Sequence, residues 1–157
     1  MNLTGARTPL DRVRLLVGGV LPALPLVAAG TLIDVGSGNG SPGLVLALLR
    51  EDIEPTLLEP RLRRWAFLRE AARVTGVRSA QVVRARHDSY DGPPARTLTV
   101  RALALPLTEL GRLLVPEGRL IVIGARPEPA APFVPEQPGT LEGLHVFRRG
   151  PDVPRET

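Results

Sequence analysis

The sequence contains no cysteine and no lysine, and each absence narrows the chemistry open to the chain. Without cysteine there is no disulfide, no thiolate nucleophile and no soft metal ligand, and two histidines are too few for a metal cluster. Without lysine, the Gly-Lys-Ser/Thr ending of a phosphate-binding P-loop cannot be formed. We therefore expect no bound metal and no ATP or GTP site of that class.

Long apolar runs are also missing. The most apolar stretch, residues 15–33, is interrupted by Pro22, Pro25 and several glycines, and it lacks the roughly 18 uninterrupted apolar residues of a membrane span. No convincing signal-peptide cleavage site precedes Asp34. These features predict a cytoplasmic protein without a membrane partner.

Length and composition predict one soluble domain. A chain of 157 residues, 43% hydrophobic and 23% charged, is long enough for one hydrophobic core and too short for two ordinary domains. We divide it into an N-terminal helical segment (1–28), a core (31–123) and a proline-rich loop followed by an edge strand (125–157). All 20 basic residues are arginines. The net charge of +4 permits an RNA partner without requiring one.

Short β-branched runs alternate with segments of helical spacing along the core. Such alternation is typical of an α/β fold with a mostly parallel sheet, right-handed crossovers and helices on both faces. The predicted strands are 31–35, 56–59, 80–84, 97–101, 119–123 and 144–148. Helices are predicted from Pro42 toward Pro55, from Pro60 to about Thr75 and over 106–114, and a turn is predicted over 116–118.

A glycine-rich segment, Asp34-Val35-Gly36-Ser37-Gly38-Asn39-Gly40, lies between the first predicted strand and helix. Glycines at that position allow a sharp turn and the close approach of a ligand to the backbone. Glu59 ends the next strand, where a carboxylate accepts hydrogen bonds from ribose hydroxyls. The segment therefore predicts a site for a ligand that contains a nucleoside.

Two kinds of cofactor compete for this loop. Gly38, Gly40 and Gly43 can be aligned with a dinucleotide fingerprint, but Pro42 would then lie inside the loop. S-adenosylmethionine carries a sulfonium and an ammonium, and Asp34 would favour those positive charges. We therefore predict S-adenosylmethionine, with a nucleotide-dependent dehydrogenase as the competing class.

Four segments have the order and spacing of one known family. They are Asn-Leu-Thr at 2–4, the loop at 33–43 with its Pro-Gly pair, the strand and Phe-Leu-containing helix at 57–70, and Arg-Ala at 101–102. These segments resemble the bacterial 16S ribosomal RNA guanine-N7 methyltransferases, also called the glucose-inhibited division protein B family. The resemblance implies a Rossmann-like, class I S-adenosylmethionine-dependent methyltransferase that acts on ribosomal RNA or the small ribosomal subunit.

The resemblance also implies site residues. Positions that match cofactor contacts of the family are Gly36, Ser41, His87, Asp88 and Arg101, in addition to the loop and ribose positions named above. Asp88 alone would also suit a solvated turn, and His87 alone an ordinary surface histidine.

Two residues are candidates for the transfer step. Arg101 would contact the substrate or the carboxylate of the cofactor, and Asn2 would lie at the mouth of the site. Guanine N7 has a free lone pair and no proton to remove, so no general base is needed.

The chain departs from the family pattern at several points. The family has helices before its Asn-Leu-Thr segment, its His-x-x-Asp-Ser element has no counterpart near residues 13–18, and Val100 replaces a serine. Gly124 and Arg126 stand where the family has a Lys-Gly pair. These departures leave open a second hypothesis: a diverged protein that binds the cofactor but is inactive or methylates a small molecule.

One helix carries several arginines that could contact RNA. Arg61, Arg64, Arg69 and Arg73 lie on the helix that follows the second strand, and the alternative is that they form an ordinary solvated face. Trp65 and Phe67 on the same helix are expected in the core.

Overall fold

The computed structural model describes residues 6–102, 104–136 and 141–152, and one sheet of seven strands organises them. The strands are β1 (Gly30–Val35), β2 (Ile53–Leu58), β3 (Gln81–Val83), β4 (Ala95–Arg101), β5 (Leu114–Ile123), β6 (Phe133–Glu136) and β7 (Leu144–Arg149). Their order is β3-β2-β1-β4-β5-β7-β6; β1 to β5 are parallel, and β7 is antiparallel to β5 and β6. This is the predicted mostly parallel α/β fold.

Three short helical turns precede the sheet, and two α-helices connect its first strands. The first of the short turns is α1 (Pro9–Val13), and the two connecting helices are α2 (Gly43–Leu49) and α3 (Leu62–Thr75). A π-helical turn (Arg14–Gly18) and a 3₁₀ segment (Leu21–Leu26) follow α1. Gly76, in the left-handed conformation, ends α3 as expected.

The two faces of the sheet bury different sets of side chains. Leu32 and Leu57 lie on the face covered by α2, α3 and the N-terminal turns. Ile33, Leu98 and Val100 lie on the opposite face, covered by 3₁₀ turns after β4. Residues of neighbouring parallel strands are paired in register, so the two faces alternate strictly along β1 and β4.

The predicted helix over 106–114 is wrong. Two 3₁₀ turns, Leu107–Glu109 and Gly111–Leu113, occupy this segment, and Leu114 already belongs to β5. Leu107, Leu110 and Leu113 are all buried. A 3₁₀ helix has 3.0 residues per turn, so leucines three apart stay on the side that faces the core.

The predicted turn at 116–118 is an irregularity inside a strand. β5 is continuous from Leu114 to Ile123, but its register against β4 shifts between Ala95↔Leu114 and Thr97↔Arg119. Glu117 has a φ of 63°. Extra residues on one strand of a pair produce this kind of bulge, which a local sequence pattern does not separate from a turn.

The predicted single edge strand is also wrong. The segment beyond β5 contributes two strands, and β7 lies inside the sheet between β5 and β6. β6 is the edge strand and contains Pro135, which an edge strand tolerates because one side of its backbone is unpaired. β2 likewise begins at Ile53, so Pro55 lies within it and not before it.

Candidate functional site

The glycine loop, residues 36–43, leaves the carboxyl end of β1 and enters α2. Gly36, Gly38 and Gly40 have φ angles of 68°, 52° and 90°. The Ser37 amide donates to the Leu58 carbonyl (2.9 Å), and the Gly40 amide donates to the Ser37 carbonyl (2.7 Å). The loop is thus a tight, internally bonded turn held against the end of β2.

Asp34 lies beneath this loop and holds it in place. Its side chain is buried, and Oδ1 accepts a hydrogen bond from Thr99 Oγ1 (2.7 Å). Oδ2 accepts from Ser37 Oγ (2.8 Å) and from the Gly43 amide (3.1 Å). The carboxylate therefore positions both ends of the loop, and it places a negative charge directly under it.

Burial raises the pKa of Asp34 from 3.8 to about 6, because loss of solvent outweighs the hydrogen bonds and the attraction of Arg101. A carboxyl whose pKa is higher in the folded state stabilises the fold below its unfolded pKa, and this contribution is lost as the pH rises through 6. The shift corresponds to about 3 kcal/mol.

We expect the difference in unfolding free energy between the wild type and Asp34→Asn to change by about 2 kcal/mol between pH 4 and pH 7, because pH 4 already lies slightly above the unfolded pKa of 3.8. The wild type should lose stability relative to the variant as the pH rises, because only the wild type must ionise a buried carboxyl. Urea unfolding at a series of pH values measures this difference. A difference that is constant with pH would show that Asp34 is not a buried titrating group.

Glu59 faces the loop from the end of β2. Its side chain is only 3% exposed, Oε2 accepts from the Gly38 amide (3.1 Å), and Oε1 accepts from the Arg61 amide (2.9 Å). A carboxylate has roughly four lone-pair sites, so each oxygen retains acceptor capacity. Glu59 therefore presents a buried, fixed acceptor beside Gly38.

Arg101 and Ser41 join the loop to the N-terminal turns. Arg101 Nη1 donates to Ser41 Oγ, and Nη2 donates to the Leu15 carbonyl (2.8 Å). Ser41 Oγ in turn donates to the Leu16 carbonyl (2.7 Å). Partial burial lowers the pKa of Arg101, and the nearby Asp34 opposes that effect. The π-helical turn is thus fastened over the α2 end of the glycine loop.

His87 and Asp88 follow β3 and have different surroundings. His87 is buried, and its Nε2 lies 2.6 Å from Oε2 of Glu109, which belongs to the 3₁₀ turn Leu107–Glu109. Asp88 is exposed and pairs with Arg86 (3.3 Å). His87 therefore connects the β3 end of the sheet to the segment after β4, whereas Asp88 lies at the surface.

The strand order places a crevice at the end of β1. The chain crosses from β3 to β4 on the other side of β1, and ligands of open α/β sheets bind at the carboxyl ends of strands at such a switch point. A cavity of about 730 Å³ lies nearby, at the ends of β4 and β5. Its largely aliphatic lining includes Val100, which pairs with Val35 just before the glycine loop, and also Leu107, Leu110, Val122, Arg126 and Glu128.

Comparison with known proteins identifies the family. The profile of the GidB family, described as rRNA small subunit methyltransferase G, matches residues 1–125. The chain belongs to this family. Ribosomal RNA small subunit methyltransferase G of Streptomyces coelicolor is 46% identical over 99 residues, which cover 59% of this chain and 41% of that protein. The protein of the same name from Xanthomonas oryzae pv. oryzae is 36% identical over 152 residues, covering 94% and 71%.

Solved structures of other methyltransferases share the fold of this GidB-family chain. An RNA methyltransferase from Salinibacter ruber, crystallised with S-adenosyl-L-homocysteine, has a TM-score of 0.63 at 19% identity and covers 98% of each chain. A putative methyltransferase, yhhF from Escherichia coli, has a TM-score of 0.64 at 19% identity and covers 97% of this chain and 92% of its own. The fold is therefore the Rossmann-like class I methyltransferase fold, as predicted.

Most of the predicted site residues of this GidB-family chain come together at one edge of the sheet. Asp34, Ser37 and Gly38 contact one another or Glu59, and Ser41 contacts Arg101. His87 and Asp88 lie at the end of β3, with the partners described above. Asn2 falls outside the described residues.

Two side chains that shape the site were not predicted from the sequence. Thr99 is fully buried on β4 and bonds Asp34, and Glu109 bonds His87. Thr99 could have been suspected from the sequence, because Thr97 and Thr99 alternate with apolar residues in a predicted strand. Glu109 had no such signal because its position depends on the 3₁₀ turn.

In the described ranges, no helix combines the length and the apolarity that crossing a bilayer requires.

Proposed function

We propose that this chain binds S-adenosylmethionine over the glycine loop and transfers its methyl group to N7 of a guanine in small-subunit ribosomal RNA. The observation that carries the proposal is the buried Glu59 carboxylate beside Gly38, at the topological switch point of a chain that belongs to the GidB family. The matched region spans only 41% of the Streptomyces relative, so the activity in that protein's name is a proposal for this chain.

The residues at the loop suit this cofactor. Glu59 has acceptor capacity left for ribose hydroxyls, and a Cβ built on Gly38 would meet no atom closer than 3.7 Å, which leaves space above the loop. The Asp34 charge favours a cationic ligand, although its oxygens mainly bond the loop and so act on the ligand through their field. The Salinibacter structure with S-adenosyl-L-homocysteine supports the same assignment.

Bound S-adenosylmethionine supplies an electrophilic methyl group. The protein has no proton to remove from guanine N7, so its contribution is to position the base and to exclude water. Arg101 uses two of its five N–H groups on Ser41 and Leu15, and the others remain for the cofactor carboxylate or the substrate. In this scheme, Arg101 also keeps the N-terminal turn closed over the loop.

The test measures cofactor binding and methyl transfer separately. Titration calorimetry with S-adenosylhomocysteine should show binding, and thermal stabilisation should be greater with that ligand than with NADH. Tritium from labelled S-adenosylmethionine should then enter small-subunit ribosomal RNA purified from cells that lack this methylation. A transcript made with 7-deazaguanosine is the matched control, because it lacks N7 and should accept no label. Binding without incorporation would contradict the RNA assignment, and preferential stabilisation by NADH would contradict the cofactor.

A second candidate is transfer to a small apolar molecule. The lining of the cavity at the ends of β4 and β5 favours it, because most of its side chains, such as Val100 and Leu107, cannot hydrogen-bond a base edge. Its charged side chains are Arg126 and Glu128. Label in an apolar acceptor, with none in ribosomal RNA, would support this candidate.

A further inference from the structure

Positive charge is concentrated in one part of the chain. Residues 60–90 contain eight arginines, with Glu70 and Asp88 as the only carboxylates, for a net charge of +6. The whole chain has a net charge of +4, so the remaining residues together carry −2. This segment contains α3 and β3, and β3 is the strand at one edge of the sheet.

Most of these arginines are available to bind an anion. Arg73 pairs with Glu70 (2.6 Å), and Arg86 pairs with Asp88 (3.3 Å). The others make no ion pair within the part of the chain that the structure describes. We call the set of such residues on and next to α3 the basic surface: Arg61, Arg63, Arg64, Arg69 and Arg78.

The basic surface begins at the glycine loop. Arg64 Nη1 lies 3.7 Å from the position of a Cβ on Gly38. From there α3 extends over 14 residues, or about 20 Å, to a hollow of about 450 Å³. The hollow is lined by Arg69, Arg73 and Arg78. A polyanion could therefore lie along α3 with one end at the proposed methyl-transfer site.

We propose that the basic surface binds the sugar–phosphate backbone of the RNA strand whose base enters the transfer site. This inference rests on the proposed function and adds the path of the substrate. Arginine both neutralises phosphate and stacks on bases, and the hollow can accept a flexible strand but not a flat bilayer.

Aromatic residues on α3 fit the same partner. Phe67 is 41% exposed, which contradicts its expected place in the core, and the Arg69 guanidinium lies 4.9 Å from the Trp65 ring centroid. Trp65 is half-buried and donates its ring N–H to the Val82 carbonyl (3.3 Å). An exposed ring among arginines offers bases a stacking surface.

The test compares two double variants that each remove two positive charges. Arg69→Gln with Arg78→Gln alters the basic surface, and Arg96→Gln with Arg148→Gln is the matched control on β4 and β7. Fluorescence anisotropy measures binding of each full-length protein to a single-stranded RNA oligonucleotide between 50 and 200 mM salt. S-adenosylhomocysteine binding, measured in parallel, should be the same in all three proteins.

Loss of two arginine–phosphate contacts should make the slope of log K against log salt less steep by about 1.4. It should also weaken binding on the order of tenfold at 100 mM salt. The control should stay within about twofold of the wild type. Equal losses in both variants, unchanged binding in the first variant, or wild-type preference for phosphatidylglycerol vesicles over RNA would each overturn the inference.

Methyl transfer separates this inference from the proposed function. If the wild type methylates ribosomal RNA and the basic-surface variant does so equally well at every salt concentration, the inference fails and the function stands. If RNA binding depends on the basic surface but no RNA is methylated, the inference stands and the transfer assignment fails.

Discussion

Replacing Gly38 with valine should lower the affinity for S-adenosylhomocysteine by at least roughly 100-fold, or about 2.7 kcal/mol, while the sheet stays folded. Gly38 has a φ of 52°, and its Cβ position faces the space above the glycine loop, with Arg64 Nη1 and the Gly36 carbonyl both at 3.7 Å. A branched side chain there would occupy the volume proposed for the cofactor. Titration calorimetry measures the loss, and circular dichroism checks the fold.

Gly76→Val is the matched control for backbone strain. Gly76 has a φ of 73°, lies at the end of α3, and has no atom within 4 Å of a Cβ. Both substitutions force a β-branched residue into the left-handed region, at a cost of roughly 1–2 kcal/mol. Only Gly38→Val should lose ligand affinity. Unchanged affinity in Gly38→Val, or equal losses in the two variants, would refute the assignment of the site.

Gly43→Ala should reduce the free energy of unfolding by about 2–3 kcal/mol. A Cβ on Gly43 would lie 2.6 Å from Asp34 Cβ and 2.7 Å from both Asp34 Oδ2 and Leu57 Cδ2. Asp34 cannot move away without breaking its bonds to Thr99 and Ser37. The first turn of α2 would therefore be pushed off the sheet, and the melting temperature should fall by roughly 4–12 °C.

Gly18→Ala provides the comparison for this stability effect. A Cβ on Gly18 meets nothing within 4 Å, so the unfolding free energy should stay within about 1 kcal/mol of the wild type. Thermal and urea unfolding of both variants measure the difference. If Gly43→Ala melts with the wild type, the close contact between α2 and β1 is not part of the folded protein.

Local patterns predicted the elements that bury continuous apolar runs. β1, β2 and β4 are at or near their predicted positions because a strand buried on both faces reads as an apolar, β-branched run whatever surrounds it. The segment after β4 was mispredicted because leucines three residues apart also fit a regular helix. The strand that contains Pro135 was missed because only its place at the edge of the sheet makes proline acceptable there.

The residues of the candidate site also fall into those that the sequence could place and those that only the tertiary structure could place. The sequence could place the loop glycines, Asp34 and Glu59 at the ends of neighbouring strands, because each of them directly follows or ends a strand in the chain. The partners of Thr99 and Glu109 could not be identified, because each bonds a residue that is distant in sequence, and the sheet register or the 3₁₀ turn brings the partners together. The exposure of Phe67 likewise depends on which face of α3 packs against the sheet.

The amino-acid order alone determined the alternation of strands and helices, the position of the sharp turn after β1 and the family to which the chain is similar, since all of these are short-range properties. Only the tertiary structure decided that Asp34 acts beneath the loop, that Arg101 fastens the N-terminal turn, and that β7 lies inside the sheet. The physical reason is that hydrogen-bond partners of buried polar groups are chosen by packing in three dimensions, which separation along the chain does not encode.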